Sequence, residues 1–431
     1  MPVCPFPLTT TPVAPPPADA FRGPRPQAVA CLLTRLLLAL ALGLGTGATA
    51  SATEAPATKK TAQSSKSAKG GAQGSTKKTA KAGAKAPGKS AAKRINAAPR
   101  ALAGLPAPTV SALPYDLRPE AREWALLTSE KLNLPLPWVM EQLARARPTA
   151  RVAQLVMPGP PGVAKNWAAY RQRFIEPRRL QAGLQFWAQH ASWLTEAEAR
   201  WGVPPEVVVA VIGVETFYGR HMGDFRVLDA LATLAFDFPK GRSDRTPFYR
   251  SELEAFLVWC WREQREPVAL RGSYAGAMGL PQFMPSNLRS LAVDLDGDGH
   301  VDLMQSPADA IGSVAHYLAS FGWQRGVPTH FRVSPPEEPM RLAALLAPDI
   351  RPSFSAADMS AQGAGLEEAA TTHAGPLALV QLLNGEERPS YVAGTQNFWA
   401  ITRYNWSAYY AMAVIDLAGE LRQLRLAGAA R

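Results

Sequence analysis

The stretch Val207-Val-Val-Ala-Val-Ile-Gly-Val214 constrains the fold more than any other, because eight uncharged, mostly β-branched residues in a row run directly into one carboxylate, Glu215. Pro204 and Pro205 at its start suit the first turn of a helix, where a missing N–H has no partner to lose. The run therefore predicts a helix buried on all sides, with Glu215 near its far end. Burial disfavours the charged form of a carboxyl and raises its pKa, which is how a Glu is kept protonated near neutral pH to serve as a general acid. The competing reading is a helix-terminal Glu paired with a nearby cation such as Arg220, and the run alone does not separate the two.

A chain of 431 residues has room for two or three domains. Its net charge of +11 suggests an anionic partner until the charge is located. Residues 51–100 carry twelve Lys and Arg against one Glu, whereas residues 101–431 carry 31 basic and 33 acidic side chains. The folded body is thus slightly acidic, which argues against nucleic acid as its partner.

Residues 1–50 read as a leader. Arg22, Arg25 and Arg35 precede the apolar run Leu36–Gly45, and the small residues Ala48-Thr-Ala-Ser-Ala52 follow. This order marks a secretory signal whose apolar core is too short to span a bilayer comfortably. Export to the periplasm is expected, with an uncleaved membrane anchor as the alternative. Cys4 and Cys31 would leave with the leader, so Cys260 would be the single thiol of the mature chain, with no internal disulfide. Residues 51–108, rich in Lys, Ala, Ser and Gly, lack the apolar surface to offset the entropy of ordering and read as a tether. Its eleven basic residues from Lys59 to Arg94 would attract an anionic membrane or wall polymer, or serve as a solvated spacer.

Residues 109–325 form the expected helical core. Apolar spacing predicts helices over Arg118–Leu132, Pro137–Arg147, Lys165–Phe174, Pro177–Trp201, Val227–Phe236, Thr246–Gln264 and Ala308–Phe321, with a polar loop at Asp237–Arg245. Tyr170 suits either the core or a cleft. The segment Gly272-Ser-Tyr-Ala-Gly-Ala-Met-Gly-Leu-Pro-Gln-Phe-Met-Pro-Ser286 breaks the pattern. Its small residues allow close backbone approach and its prolines stiffen it, which suits a cleft wall bearing Ser273 and Gln282, or a tight helix crossing.

Asp294, Asp296 and Asp298 stand at positions one, three and five of a loop with Gly299 at six, the His300 carbonyl at seven and Asp302 at nine. That is the ligand order of an EF-hand-type calcium loop, although Gln305 replaces the bidentate Glu at twelve. Asp309 on the next helix is a candidate for the missing carboxylate. The alternative is a cluster of Asx turns without metal.

Residues 326–402 read as an insertion with a small β-containing subdomain. Alternation marks Leu377–Leu383 and Ser390–Ala393, with Phe398–Thr402 beyond, and Arg341–Leu346 is helical. Residues 403–431 return to the core, with Tyr404 expected in a loop and Tyr410 on the first turn of a final helix.

Taken together, Gly213-Val-Glu-Thr216 with Tyr218-Gly219, Ser273–Gly279 with Gln282–Pro285, the Asp294 loop, Asp309–Val314 and Arg403–Ser407 with Tyr410–Val414 resemble the lytic murein transglycosylase B family, of glycoside hydrolase family 103 and SLT type. The resemblance runs from about Asn166 to Leu417. It implies a mainly α fold similar to goose-type lysozyme, with a small β-containing subdomain and an EF-hand-like calcium loop. It also implies Glu215 as the sole catalytic acid and base, a glycan cleft lined by Ser273, Gln282, Tyr317, Tyr404, Asn405 and Tyr410 with Tyr170 at its rim, and structural Ca2+ at Asp294, Asp296, Asp298, His300, Asp302 and Asp309. No organic cofactor is implied, and the expected partner of a monomer is the peptidoglycan glycan strand.

The chemistry can be argued beside the resemblance. Glycosidic cleavage usually takes two carboxylates, and Asp224, Asp229 and Asp237 lie in polar or loop contexts. A lone Glu needs a substrate that supplies the second function, as the 2-acetamido group of an N-acetyl sugar does. Glu215 would then protonate the β-1,4 bond between N-acetylmuramic acid and N-acetylglucosamine, and afterwards take the C6 hydroxyl proton as a 1,6-anhydro ring closes. The alternatives are a hydrolytic muramidase, in which Glu215 activates water, and a non-catalytic wall-binding protein.

Overall fold

A computed structural model describes residues 110–157 and 165–429. The expected leader and tether lie outside the described residues. In chain order the helices are α1 (Pro119–Leu132), α2 (Leu136–Arg145), α3 (Ala150–Leu155), α4 (Trp167–Arg171), α5 (Pro177–Gln189), α6 (Ala191–Trp201), α7 (Pro205–Thr216) and α8 (Val227–Phe236). They continue as α9 (Thr246–Arg262), α10 (Pro285–Leu291), α11 (Pro307–Ser320), α12 (Pro339–Leu346), α13 (Ala356–Ala361), α14 (Glu368–Thr371), α15 (Gln396–Thr402) and α16 (Ala408–Ala429). The described residues are mainly helical.

Helix α7 is the apolar run of the sequence. Val207 through Gly213 are all buried, and α5, α6, α11 and α16 pack around the helix. Burying a Val or Ile side chain contributes roughly 1.5–3 kcal/mol, whereas the helix penalty of a β-branched residue is at most about 0.7 kcal/mol. Burial wins, and a β-favouring composition becomes a helix. Pro205 stands in its first turn.

The expected helix Pro177–Trp201 is two. His190, with φ −118° and ψ 25°, leaves helical geometry between α5 and α6, and its ring packs against Phe186 at 4.6 Å.

Two small antiparallel sheets complete the fold. Strands β1 (Phe225–Arg226) and β2 (Arg271–Gly272) pair beside the Ser273 loop. Strands β3 (His330–Ser334), β4 (Gly365–Leu366), β5 (Ala378–Asn384) and β6 (Glu387–Gly394) lie in the order β4-β3-β6-β5. Phe331, Leu345, Met359, Leu377, Leu379 and Ala393 form a second, smaller core beneath this sheet. The segment Phe398–Thr402, expected to extend the sheet, belongs to helix α15. Thr395 caps it by accepting the Asn397 N–H at 3.1 Å, and the neighbours Phe398, Ala400 and Ile401 are all buried, which a two-sided strand at a sheet edge would not allow.

Candidate active site

Glu215 is the penultimate residue of α7, and the chain turns sharply behind it. Phe217, Tyr218 and Gly219 have φ of 52°, 58° and 83°, three successive residues in the left-handed region. For the two aromatic residues that geometry costs about 1–2 kcal/mol each, so the surroundings must hold it. The Phe217 N–H donates to the Gly213 carbonyl, and the Arg179 guanidinium donates to the same oxygen while lying 4.7 Å over the Phe217 ring. Tyr218 wedges its ring between two glycines: a Cβ at Gly183 or at Gly213 would collide with its hydroxyl. Thr216 donates to the Leu280 carbonyl at 2.8 Å and accepts the Gly219 N–H at 3.0 Å. These contacts fasten the end of α7 to α5 and to the Ser273 loop.

The carboxyl itself accepts a 2.6 Å hydrogen bond at Oε1 from the hydroxyl of Tyr410, on the first turn of α16. Glu215 as a residue is partly exposed, while its carboxyl is surrounded by protein atoms. This burial pushes its pKa up to about 7, with the Tyr410 hydrogen bond pulling the other way. Arg220, the cation of the competing reading, lies instead over the Phe217 ring at 4.9 Å, and no ion pair of the described residues includes Glu215.

The four expected tyrosines gather around this carboxyl. Tyr170, Tyr317, Tyr404 and Tyr410 all have their hydroxyl pKa raised, chiefly by burial, and all four also feel the Glu215 charge. Tyr317 donates to the Arg403 carbonyl at 2.6 Å, and its ring lies 4.3 Å from that of Tyr404. Tyr404 stacks on Tyr410 at 6.3 Å, and its hydroxyl is buried without a protein partner. Tyr170 packs against Phe174 and Tyr409.

Ser273 and Gln282 lie on the loop that Thr216 holds. Ser273 Oγ accepts the N–H groups of Ala275 and Ala277, which leaves its own hydrogen to donate. Gln282, at φ 51°, directs its amide to the Met222 and Gly279 carbonyls. Asn405 is exposed, and the Arg403 guanidinium, two residues earlier in the chain, lies 5.1 Å over the Trp399 and Trp406 rings.

In the acidic loop, oxygens of Asp294, Asp296 and Asp298 come within 4.8 Å of one another. Three hard oxygen donors at that separation fit Ca2+. Asp309 stands apart from this group. Being almost fully buried, it accepts the Leu295 and Asp302 N–H groups, one on each oxygen, and so ties the two ends of the loop together from behind. Asp302 accepts the Met304 and Gln305 N–H groups and faces Arg265 at 3.4 Å. The side chain of His300 is exposed.

The context assigned to Asp229 needs correction: it is buried on α8, where Arg226 and the Arg147 N–H engage it, whereas Asp237 lies in the loop after α8 as expected and pairs with the buried Arg118 at 2.9 Å. Glu252 is a second carboxylate in an apolar setting that the sequence did not single out. It caps α10 by accepting the Ser286 N–H and hydroxyl at 2.9 and 2.7 Å. Arg179 and Gly183 were missed as well, since neither stands in a pattern that marks it. Their role appears only when α5 is laid against α7.

Residues 128–419 match the family model described as the transglycosylase SLT domain. The chain is 41% identical over 262 residues to the membrane-bound lytic murein transglycosylase B of Escherichia coli (strain K12), covering 60% of this chain and 68% of that protein. Among solved structures, soluble lytic transglycosylase SltB1 from Pseudomonas aeruginosa is 38% identical with a TM-score of 0.64, covering 71% of this chain and 99% of that one. The Escherichia coli lytic transglycosylase Slt35 in complex with calcium is 36% identical with a TM-score of 0.62, covering 72% and 95%.

Proposed function

This chain belongs to the transglycosylase SLT domain family and is a peptidoglycan lytic transglycosylase, and from that premise we propose that Glu215 is its one acid and base. The observation that carries the assignment is a carboxyl pushed up to about 7 by burial and held by Tyr410 on one oxygen only. Both protonation states are then accessible near neutral pH, which suits a group that must first give and then take a proton.

In this reading Tyr410 fixes Glu215 Oε1, and Oε2 carries the proton to the oxygen linking N-acetylmuramic acid to N-acetylglucosamine. The acetamido oxygen of the muramoyl residue stabilises the developing cation. Ionised Glu215 then removes the C6 hydroxyl proton of the same residue, and the 1,6-anhydro ring closes without water. Tyr170 and Tyr404 offer ring faces suited to sugars, and Tyr317, buried and donating to the Arg403 carbonyl, backs the Tyr404 ring instead of facing the sugars. Ser273 donates its remaining hydrogen, Gln282, whose N–H groups are engaged, offers its side-chain oxygen, and Asn405 supplies an amide. Glu252, Asp229 and Asp237 do not act, because their oxygens are already engaged.

The acidic loop binds Ca2+ through Asp294, Asp296 and Asp298, with the His300 carbonyl and Asp302 as further ligands and Asp309 as the brace behind. The ion, when bound, stiffens this loop and takes no part in the proton transfers. The protein works as a monomer in the periplasm, exported by its leader, with the basic tether reaching an anionic surface. Among the described residues no helix is long and apolar enough to cross a membrane. Glu215→Gln should lower turnover of sacculi by about 10²–10⁴-fold while sedimentation with sacculi persists. Turnover equal to that of the parent would refute the assignment.

A further inference from the structure

A cleft of about 540 Å3 opens between α2 and the C-terminal end of α9, built from residues that the active site does not use. Trp138 and Trp261 form one wall, edge to face at 5.0 Å, and Trp261 is 42% exposed. Arg145 crosses the cleft, paired with Glu266 at 2.9 Å and with Glu141 at 3.5 Å, and the buried Gln142 lies beneath it. The size falls within the roughly 300–1,000 Å3 range of ligand sites. Its charges are already matched to one another, since Arg265, at the edge, pairs with Asp302. An ionic ligand would have to break those pairs. A neutral, hydroxyl-rich ligand instead finds an exposed indole face with carboxylate, guanidinium and amide groups around it.

The cleft is not isolated. Arg265 also lines a neighbouring hollow of about 280 Å3 that reaches Met222, Gly223, Gly279 and Met304. Met222 and Gly279 are the residues whose carbonyls accept the Gln282 amide in the wall beside Glu215. Arg265 thus borders both the cleft and this hollow, and the hollow lies beside the loop that carries Gln282.

We propose that the Trp138–Trp261 cleft is a second glycan-binding site, which holds a neutral N-acetylglucosamine ring of the same polymer whose bond is cleaved at Glu215. This rests on the assignment of peptidoglycan as substrate. Glycan binding here tethers the enzyme to polymeric murein and leaves the proton transfers untouched.

The test uses the full chain and two substrates: purified sacculi, and a GlcNAc–MurNAc tetrasaccharide offered to the groove beside Glu215. Trp261→Ala should raise KM for sacculi about tenfold, the effect of losing one stacked aromatic contact, with kcat and tetrasaccharide turnover retained. Trp261→Phe should restore most of the loss. The same substitution placed in Glu215→Gln should weaken sedimentation with sacculi, which separates binding from chemistry. An unchanged KM for sacculi, or an equal loss on both substrates with a lowered Tm, overturns the proposal. Neither result touches the role of Glu215, which fails separately if Glu215→Gln stays active.

Discussion

The Tyr410 hydroxyl lies 2.6 Å from Glu215 Oε1, joining the last helix of the described chain to the end of α7 across 195 residues of sequence. The bond stabilises the ionised carboxylate, so it opposes the burial that pushes Glu215 up. In Tyr410→Phe the opposing contribution is gone and the pKa rises further. The alkaline limb of kcat/KM, centred near 7 in the parent, should shift to higher pH, and the plateau should fall about tenfold or more as the carboxyl loses its orientation. A pH–rate profile checks both, and a limb that moves to lower pH contradicts this role of Tyr410.

Stability carries the same signature. Glu215 has a folded pKa of about 7, against about 4.3 in an unfolded chain. Its raised value favours the folded state fully below the unfolded pKa, and the benefit is lost as pH rises through about 7. Glu215→Gln, which cannot ionise, should therefore melt above the parent at pH 8. The gap should close towards pH 4.5, measured by thermal denaturation across that range.

How much of this was legible in the sequence depends on whether local pattern or tertiary contact decides each feature. Val207–Glu215 could be read because no charge interrupts the run and Pro205 marks its start. Val227–Phe236 could be read to the residue from its helical apolar spacing, with Asp229 in the first turn and Asp237 just beyond the end. The break at His190 could not, since nothing in its neighbours forbids helix and contact with Phe186 accompanies the change. Phe398–Thr402 looked like a strand because aromatic and β-branched residues favour one, yet burial of adjacent positions needs a helix. At the site, the individual tyrosines were visible, but the contacts tying them to Glu215 come from α11 and α16. Asp309 was read from the next helix as a candidate ligand of the acidic loop, and its place behind the loop, accepting two backbone N–H groups, was not legible.

Gly213 is where the catalytic helix and its turn meet. An added Cβ would come within 2.5 Å of Tyr218 Oη, and Gly183 blocks retreat on the other side. Gly213→Ala should destabilise the protein by about 1–3 kcal/mol through overpacking. It should also lower kcat as the turn behind Glu215 shifts, and denaturant melts paired with steady-state rates would show the two losses together.

Calcium should act on stability more than on chemistry. Addition of Ca2+ to chelated protein should raise Tm by a few degrees through preferential binding to the folded state, and Asp294→Asn with Asp298→Asn should abolish the rise. Thermal shifts in chelator and in Ca2+ measure it. A fall of kcat without any change in Tm would mean that the ion belongs to the active site.

The central claim is that one carboxyl both gives and takes the proton while the sugar closes on itself. Mass analysis of muropeptides released from purified sacculi tests it most directly. The account expects ends lighter by one water, as 1,6-anhydro sugars are, released by the parent and absent with Glu215→Gln. Reducing ends carrying the full mass of water, or anhydro ends still formed by Glu215→Gln at the parent rate, would contradict it.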